Sequence, residues 1–145
     1  MTGEVYPKKA VIYLRGARNE GSPVQALALQ RHACQRRANE LNLMVLGEYV
    51  DQGSGNVEPE QRPGLSKLLA ELRERPVAYV ITFDSARIAR KVHHYASVAW
   101  QLGKSGTRLE IASEPHREFD EQARQLISYI GSVQLIDSES DQADK

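Results

Sequence analysis

Four arginines carry the chemistry that this sequence offers. Arg15 closes a short apolar run, Arg87 and Arg90 follow a second one by a few residues, and Arg62 ends a glycine-bearing stretch. A guanidinium is planar, stays charged and can bind two phosphate oxygens at once, and each charged hydrogen bond of this kind contributes about 1.5–3 kcal/mol. If the two runs are neighbouring parallel strands, their ends lie on one edge of a sheet, and three or four guanidinium groups can converge there on an oxyanion or a phosphate. The competing reading is a set of surface ion pairs with Glu20, Asp51, Glu58 or Asp84, which is commonplace. Spacing alone leaves both open.

Other reactive types offer less. Cys34 is the single cysteine and falls on the apolar side of a helical pattern, which makes it a core residue. His93 and His94 are helix neighbours expected to face different ways, and His32 and His116 stand alone without metal-ligand spacing. Neither a metal site nor a cofactor is expected. Ser22 lies in Gly21-Ser22-Pro23, where a turn or helix-cap role is the simpler one, and Ser85 is discounted in the same way.

The elements that must position these groups alternate. Ala10 to Leu14 reads as a strand and Val24 to Leu41 as a helix, with Leu27, Cys34, Ala38 and Leu41 on one side. Leu43 to Val50 reads as a second strand, followed by a loop from Asp51-Gln52-Gly53-Ser54-Gly55 to about Gln61. Pro63 suits a first helical turn, and Leu65, Leu68, Leu69 and Leu72 follow at i, i+3, i+4 and i+7 until Pro76. Val77 to Phe83 has the length and continuous apolarity of a strand covered on both faces, and is expected to be central. Tyr95, Val98, Ala99 and Leu102 mark a helix, Thr107 to Ala112 one more strand, and Phe119, Ala123, Leu126, Ile127, Ile130 and Val133 a last amphipathic helix. This order predicts an α/β three-layer sandwich with a mainly parallel four- to five-stranded sheet and right-handed crossovers. Function is expected at the carboxyl ends of the strands.

Composition sets outer limits. The 145 residues, 41% of them hydrophobic, suffice for one domain, expected over 1–136, with a disordered acidic tail at 137–145. The 19 basic and 19 acidic side chains cancel, so nucleic-acid contact must come from a local cluster and not from the field of the whole molecule. No apolar run reaches the roughly 18 residues of a membrane helix, and there is no signal-peptide pattern, so a cytoplasmic protein with no membrane partner is expected.

Several segments together resemble the catalytic domain of the serine recombinases, the resolvase and invertase family. Tyr13-Leu14-Arg15 is similar to the Tyr-x-Arg that opens that domain, and Leu27-Ala28-Leu29-Gln30 to its Ser-Leu-x-x-Gln. Glu48 to Gly55 is similar to its second strand and mobile loop, and Arg62-Pro63-Gly64-Leu65 to a further motif. Phe83-Asp84-Ser85-Ala86-Arg87-Ile88-Ala89-Arg90 follows its Asp-x-x-Arg-Leu-x-Arg pattern, and Ser113-Glu114-Pro115 stands where a short motif closes the fourth strand. The resemblance spans about residues 10 to 136.

That resemblance implies DNA as the partner and a fold with a resolvase-like topology. It implies a serine that attacks a phosphodiester without a metal, with Arg15, Arg62, Arg87 and Arg90 on the transferring phosphoryl group and Gln30 and Asp51 as polar supports. Ala17 stands at the nucleophile's place, Gly16 replaces a branched apolar residue, and Ala86 replaces a serine or aspartate. The expectation is therefore a DNA-recombination-class domain that is impaired as an enzyme and regulates by binding DNA or a partner. An active strand transferase using Ser22, and a pure protein-interaction module, are the alternatives. By the same resemblance DNA binding is weak without a separate DNA-reading domain, and the last helix pairs the chain with a second copy or with an active recombinase, ordinary packing of its apolar stripe onto the sheet being the equal alternative.

Overall fold

The computed structural model describes residues 7–16, 23–53 and 61–113. Within them a four-stranded, wholly parallel sheet forms in the order β2-β1-β3-β4, with β1 at Lys9–Gly16, β2 at Met44–Gln52, β3 at Tyr79–Thr82 and β4 at Arg108–Ile111. Parallel neighbours cannot be joined by a tight turn, so a helix crosses between successive strands. Those helices are α1 at Pro23–Glu40, α2 at Pro63–Glu74 and α4 at Val92–Lys104, with the single turn α3 at Ser85–Ile88 ahead of α4.

Strand β1 shows why the layers form. From Ala10 onward it is buried throughout, and its alternate side chains supply two cores. Ala10, Ile12 and Leu14 pack with Cys34 and Ala38 of α1, while Val11 and Tyr13 pack with the leucines of α2 and with Tyr95, Ala96, Val98 and Leu102 of α4. A strand covered on both faces needs an unbroken apolar run, which Ala-Val-Ile-Tyr-Leu provides. On α2 the buried residues are Leu65, Leu68, Leu69 and Leu72, the set expected from their spacing. Each fully buried leucine stabilises by about 1.5–3 kcal/mol.

The elements depart from the sequence expectation in places, and β1 itself runs from Lys9 to Gly16 where Ala10 to Leu14 was expected. Strand β2 runs two residues past Val50, because Asp51 and Gln52 pair with Arg15 and Gly16, and only at Gly53, with φ of 125°, does the backbone enter a region that favours glycine. Strand β3 is shorter than Val77 to Phe83 and shares the interior of the sheet with β1. The turn α3 was not anticipated; the Asp84 side chain caps it by accepting a hydrogen bond from the Arg87 backbone N–H at 3.1 Å. The expected helix from Phe119 to Val133, the tail, Ala17 and Ser22 lie outside the described residues. Among the described residues no helix is long and apolar enough to cross a membrane.

Candidate functional site

The chain leaves β1 toward β2 on one side and returns to β3 on the other. This strand order opens a crevice at the carboxyl ends of β1 and β3, the usual ligand position in such sheets. Alternation along β1 puts Arg15 on the same face as Tyr13, at that edge. Residues 62 and 87 reach it from the start of α2 and from α3.

Arg15 is 1% exposed and Arg62 3%. Arg15 donates through Nε to the Arg87 carbonyl at 3.1 Å, through Nη2 to the Ala86 carbonyl at 2.7 Å and through Nη1 to the Gly53 carbonyl. Arg62 donates through Nη1 to the same Arg87 carbonyl at 2.9 Å and through Nη2 to the Ile88 carbonyl, and its guanidinium sits 5.9 Å from the Tyr13 ring centre. Its Nε is buried without a hydrogen-bond partner. Arg87 returns a bond from Nη1 to the Arg15 carbonyl at 3.0 Å, and its Nε lies 3.3 Å from Asp84 Oδ1. Two guanidinium groups thus meet on the Arg87 carbonyl. Burial, then the neighbouring Arg87 and Arg62 charges, pull the Arg15 guanidinium below its ordinary pKa. Arg90, two residues beyond α3, is exposed, and its charge also bears on Arg15.

The expected surface ion pairs are therefore met only in part. Asp84 pairs with Arg87, while Glu20 and Glu58 lie outside the described residues. Asp51 is committed elsewhere. Its Oδ2 accepts from the Tyr13 hydroxyl at 2.7 Å and from the Leu65 N–H at 2.8 Å, and its Oδ1 from the Gly64 N–H at 2.7 Å. These are first-turn amides of α2, whose own N-cap residue, Arg62, contributes no side-chain cap. A carboxylate from β2 thus caps a helix it does not belong to. Desolvation of Tyr13, followed by the Asp51 contact, drives the phenol pKa upward despite the Arg62 charge, so the hydroxyl is a donor and not a base.

Gly64 lets this cap close. A Cβ there would lie 2.6 Å from the Val50 carbonyl oxygen and 2.9 Å from Asp51 Cγ. Gly64→Ala is expected to destabilise the domain by about 1–3 kcal/mol, measured by urea unfolding, because backbone must move to admit the methyl. A loss within experimental error would mean that the carboxylate does not sit against the helix start.

Gln30 is tied to β1 from the other layer. Its Oε1 accepts from the Arg15 N–H at 3.2 Å and its Nε2 donates to the Arg15 carbonyl at 3.0 Å, so α1 holds both backbone groups of the residue two before Ala17. Beside it a cavity of about 390 Å³ opens between Gln25, Leu29, Phe83 and Arg87. A larger one, about 540 Å³ between Leu46, Tyr49, Lys67 and Glu71, holds none of the four arginines.

The structure thus brings together Arg15, Arg62, Arg87, Gln30 and Asp51, with Arg90 at the rim. Tyr13, Gly64 and the capping role of Asp84 were not singled out from sequence. Tyr13 and Gly64 were visible only as members of motifs. Cys34 is fully buried, and burial pushes its thiol up to about 12, as befits a core group. His93 and His94 do not face apart; their rings meet edge to face at 4.3 Å. Among the described residues no three His, Cys, Asp or Glu side chains gather as metal ligands do.

Comparison with known proteins bears on this arrangement. The family described as "Resolvase, N terminal domain" matches residues 10–141. No curated protein matches. Among solved structures, the C-terminal catalytic domain of ISC1926 TnpA, an IS607-like serine recombinase, is similar with a TM-score of 0.64 at 24% identity, over 86% of this chain and 82% of that one. The N-terminal catalytic domain of TP901-1 integrase is similar with a TM-score of 0.64 at 16% identity, over 91% and 98%. A resolvase family site-specific recombinase from Streptococcus pneumoniae gives 0.63 at 19%, over 94% and 92%. At these identities the likeness is one of fold, and the fold they share is the α/β arrangement with a parallel sheet described above.

Proposed function

Since this chain belongs to the resolvase N-terminal domain family, and so to the class of proteins that carry out DNA recombination, we propose that it is a recombinase-type domain that holds a DNA phosphate without cutting the strand. The observation that carries this reading is the gathering of Arg15, Arg62 and Arg87 at the carboxyl ends of β1 and β3, with Arg90 exposed beside them. Four cations stand there against two carboxylates, and one of those, Asp51, is engaged by α2 and Tyr13. Such a platform favours a phosphodiester and would stabilise the added charge of its transition state.

Stabilising charge and forming a covalent bond are separate contributions, and the methyl of Ala17 cannot make the second. Gly16 and Ala86 depart from the family pattern together with Ala17, which favours a natural regulator over an enzyme trapped by one substitution. Binding is salt-sensitive and weak unless a separate module reads the sequence. The apolar spacing from Phe119 to Val133 supports a second copy, or an active recombinase, as the protein partner.

The test is incubation of the pure protein with its neighbouring genomic DNA, followed by paired native and denaturing gels. A shift on the native gel alone is expected. A shift that survives denaturation would sink the non-cutting reading, and its loss in Ser22→Ala would name the substitute nucleophile. No shift at all, with full function kept after charge reversal at Arg87 and Arg90, would leave a protein-interaction module.

A further inference from the structure

The alternation of β3 continues past the end of the strand. Tyr79 and Ile81 pack on the α1 side of the sheet, so Phe83, two residues on, falls on that side too. There it is half-buried and lines the cavity of about 390 Å³. The other lining residues are Gln25, Ala26, Leu29 and Gln30 of α1, with Arg87 of α3. Leu29 is 64% exposed and leaves an apolar flank open to a ligand. Gln30 is engaged with the Arg15 backbone, whereas the exposed side-chain amide of Gln25 has no hydrogen bond among the described residues.

Apolar side chains beside an amide that offers both a donor and an acceptor suit a flat ligand with apolar faces and a polar edge. A free phosphate needs donors around it, and an alkyl chain would cover the amide without pairing it. A nucleobase meets both conditions, and the volume falls within the roughly 300–1,000 Å³ of small-ligand sites. In a duplex the faces of a base are stacked and its edge is paired, so only an unpaired base can enter. Arg87 belongs to the cavity and to the arginine platform alike, which joins the two.

We propose that this cavity takes one unpaired base of the DNA strand held at the platform, with Phe83 and Leu29 against its faces and Gln25 on its edge. This rests on the DNA-binding reading above. The neighbouring cavity of about 410 Å³ shares Leu29 and Phe83 but not the role, since its Arg36 and Arg37 are both paired with Glu40.

The test compares the affinity of the full chain for short duplexes of one sequence, carrying no bulge, a bulged adenine or a bulged abasic nucleotide. The abasic strand keeps the phosphates and the flexibility and lacks only the base. The adenine duplex is expected to bind about 5- to 100-fold tighter than the abasic one, the range for one base stacked on an aromatic ring. That ratio is expected to fall toward one in Phe83→Leu, which keeps the bulk, and in Leu29→Asn, at an exposed position. The Gln25 side-chain amide signals in a nitrogen–proton spectrum are expected to move with the adenine duplex and to stay with the abasic one.

Equal affinity for the adenine and abasic duplexes, with both bound, would overturn the base pocket and leave the phosphate platform standing. A ratio kept in both variants would place the base elsewhere and overturn the assignment. Deoxyadenosine monophosphate that moved the Gln25 signals at the same concentration would give the cavity to a free nucleotide and overturn the link to the strand. If Phe83→Leu fails to fold, Leu29→Asn and the Gln25 signals decide. Binding of none of the duplexes would fail the DNA-binding reading, and the pocket with it.

Discussion

On a denaturing gel, Ala17→Ser is expected to carry a DNA-linked band that the native chain lacks. The substitution adds one hydroxyl two residues beyond Arg15, whose backbone Gln30 holds at both its N–H and its carbonyl. In the step proposed, the serine oxygen bonds to phosphorus as the bond from phosphorus to the 3′ oxygen breaks. The serine proton leaves to solvent and the departing oxygen takes one up. Removing a catalytic serine from a hydrolase lowers turnover on the order of a millionfold, so restoring one should take adduct from undetectable to measurable. Absence of an adduct in Ala17→Ser, with DNA binding intact, would show that the platform binds phosphate without being shaped for the transition state. Gly16 and Ala86 would then be the next positions to restore.

Asp51→Ala is expected to cost about 3–5 kcal/mol of folding stability, measured by urea unfolding with the denaturant slope unchanged. Three donors would lose their acceptor together, the Tyr13 hydroxyl and the amides of Gly64 and Leu65, all at 2.7–2.8 Å in the native chain. A domain of this size has about 5–15 kcal/mol in all, so the variant would lose a large share. Asp51→Asn should lose less, because one side-chain oxygen remains to accept from the helix start. A loss below about 1 kcal/mol in Asp51→Ala would contradict the capping role and return Asp51 to the reacting group as a polar support.

The layers were legible in the sequence because apolar periodicity reports burial directly. The leucines of α2 are the clearest case; the run Ala10 to Leu14 was placed as a strand, although cover on both faces was expected of Val77 to Phe83 and not of β1. The turn α3 was not, since four residues are too few for a period; the usable signal was Asp84 three residues before Arg87. That the arginines gather at strand ends followed from topology, but their rotamers did not. Nothing in the spacing says that Arg15 and Arg62 point into the protein and bond to α3. The cap that Asp51 lends to α2 was equally hidden, because its donors lie 13 and 14 residues further along the chain, beyond the reach of any local pattern.

The central place of β1 has a cost in time. Its two partners in the sheet come later in the chain, and the Tyr13 carbonyl waits for the Thr82 hydroxyl, 69 residues downstream. At ribosomal speeds of about 5–20 residues per second, that interval is roughly 3–14 s. Until β2 is made the buried stretch Val-Ile-Tyr-Leu has two open edges, and the edge that β3 will take stays open to the end of the interval. Collapse takes up to about 10–100 μs once the segments exist, so translation sets the least time for which that strand is exposed to chaperones and to other nascent chains.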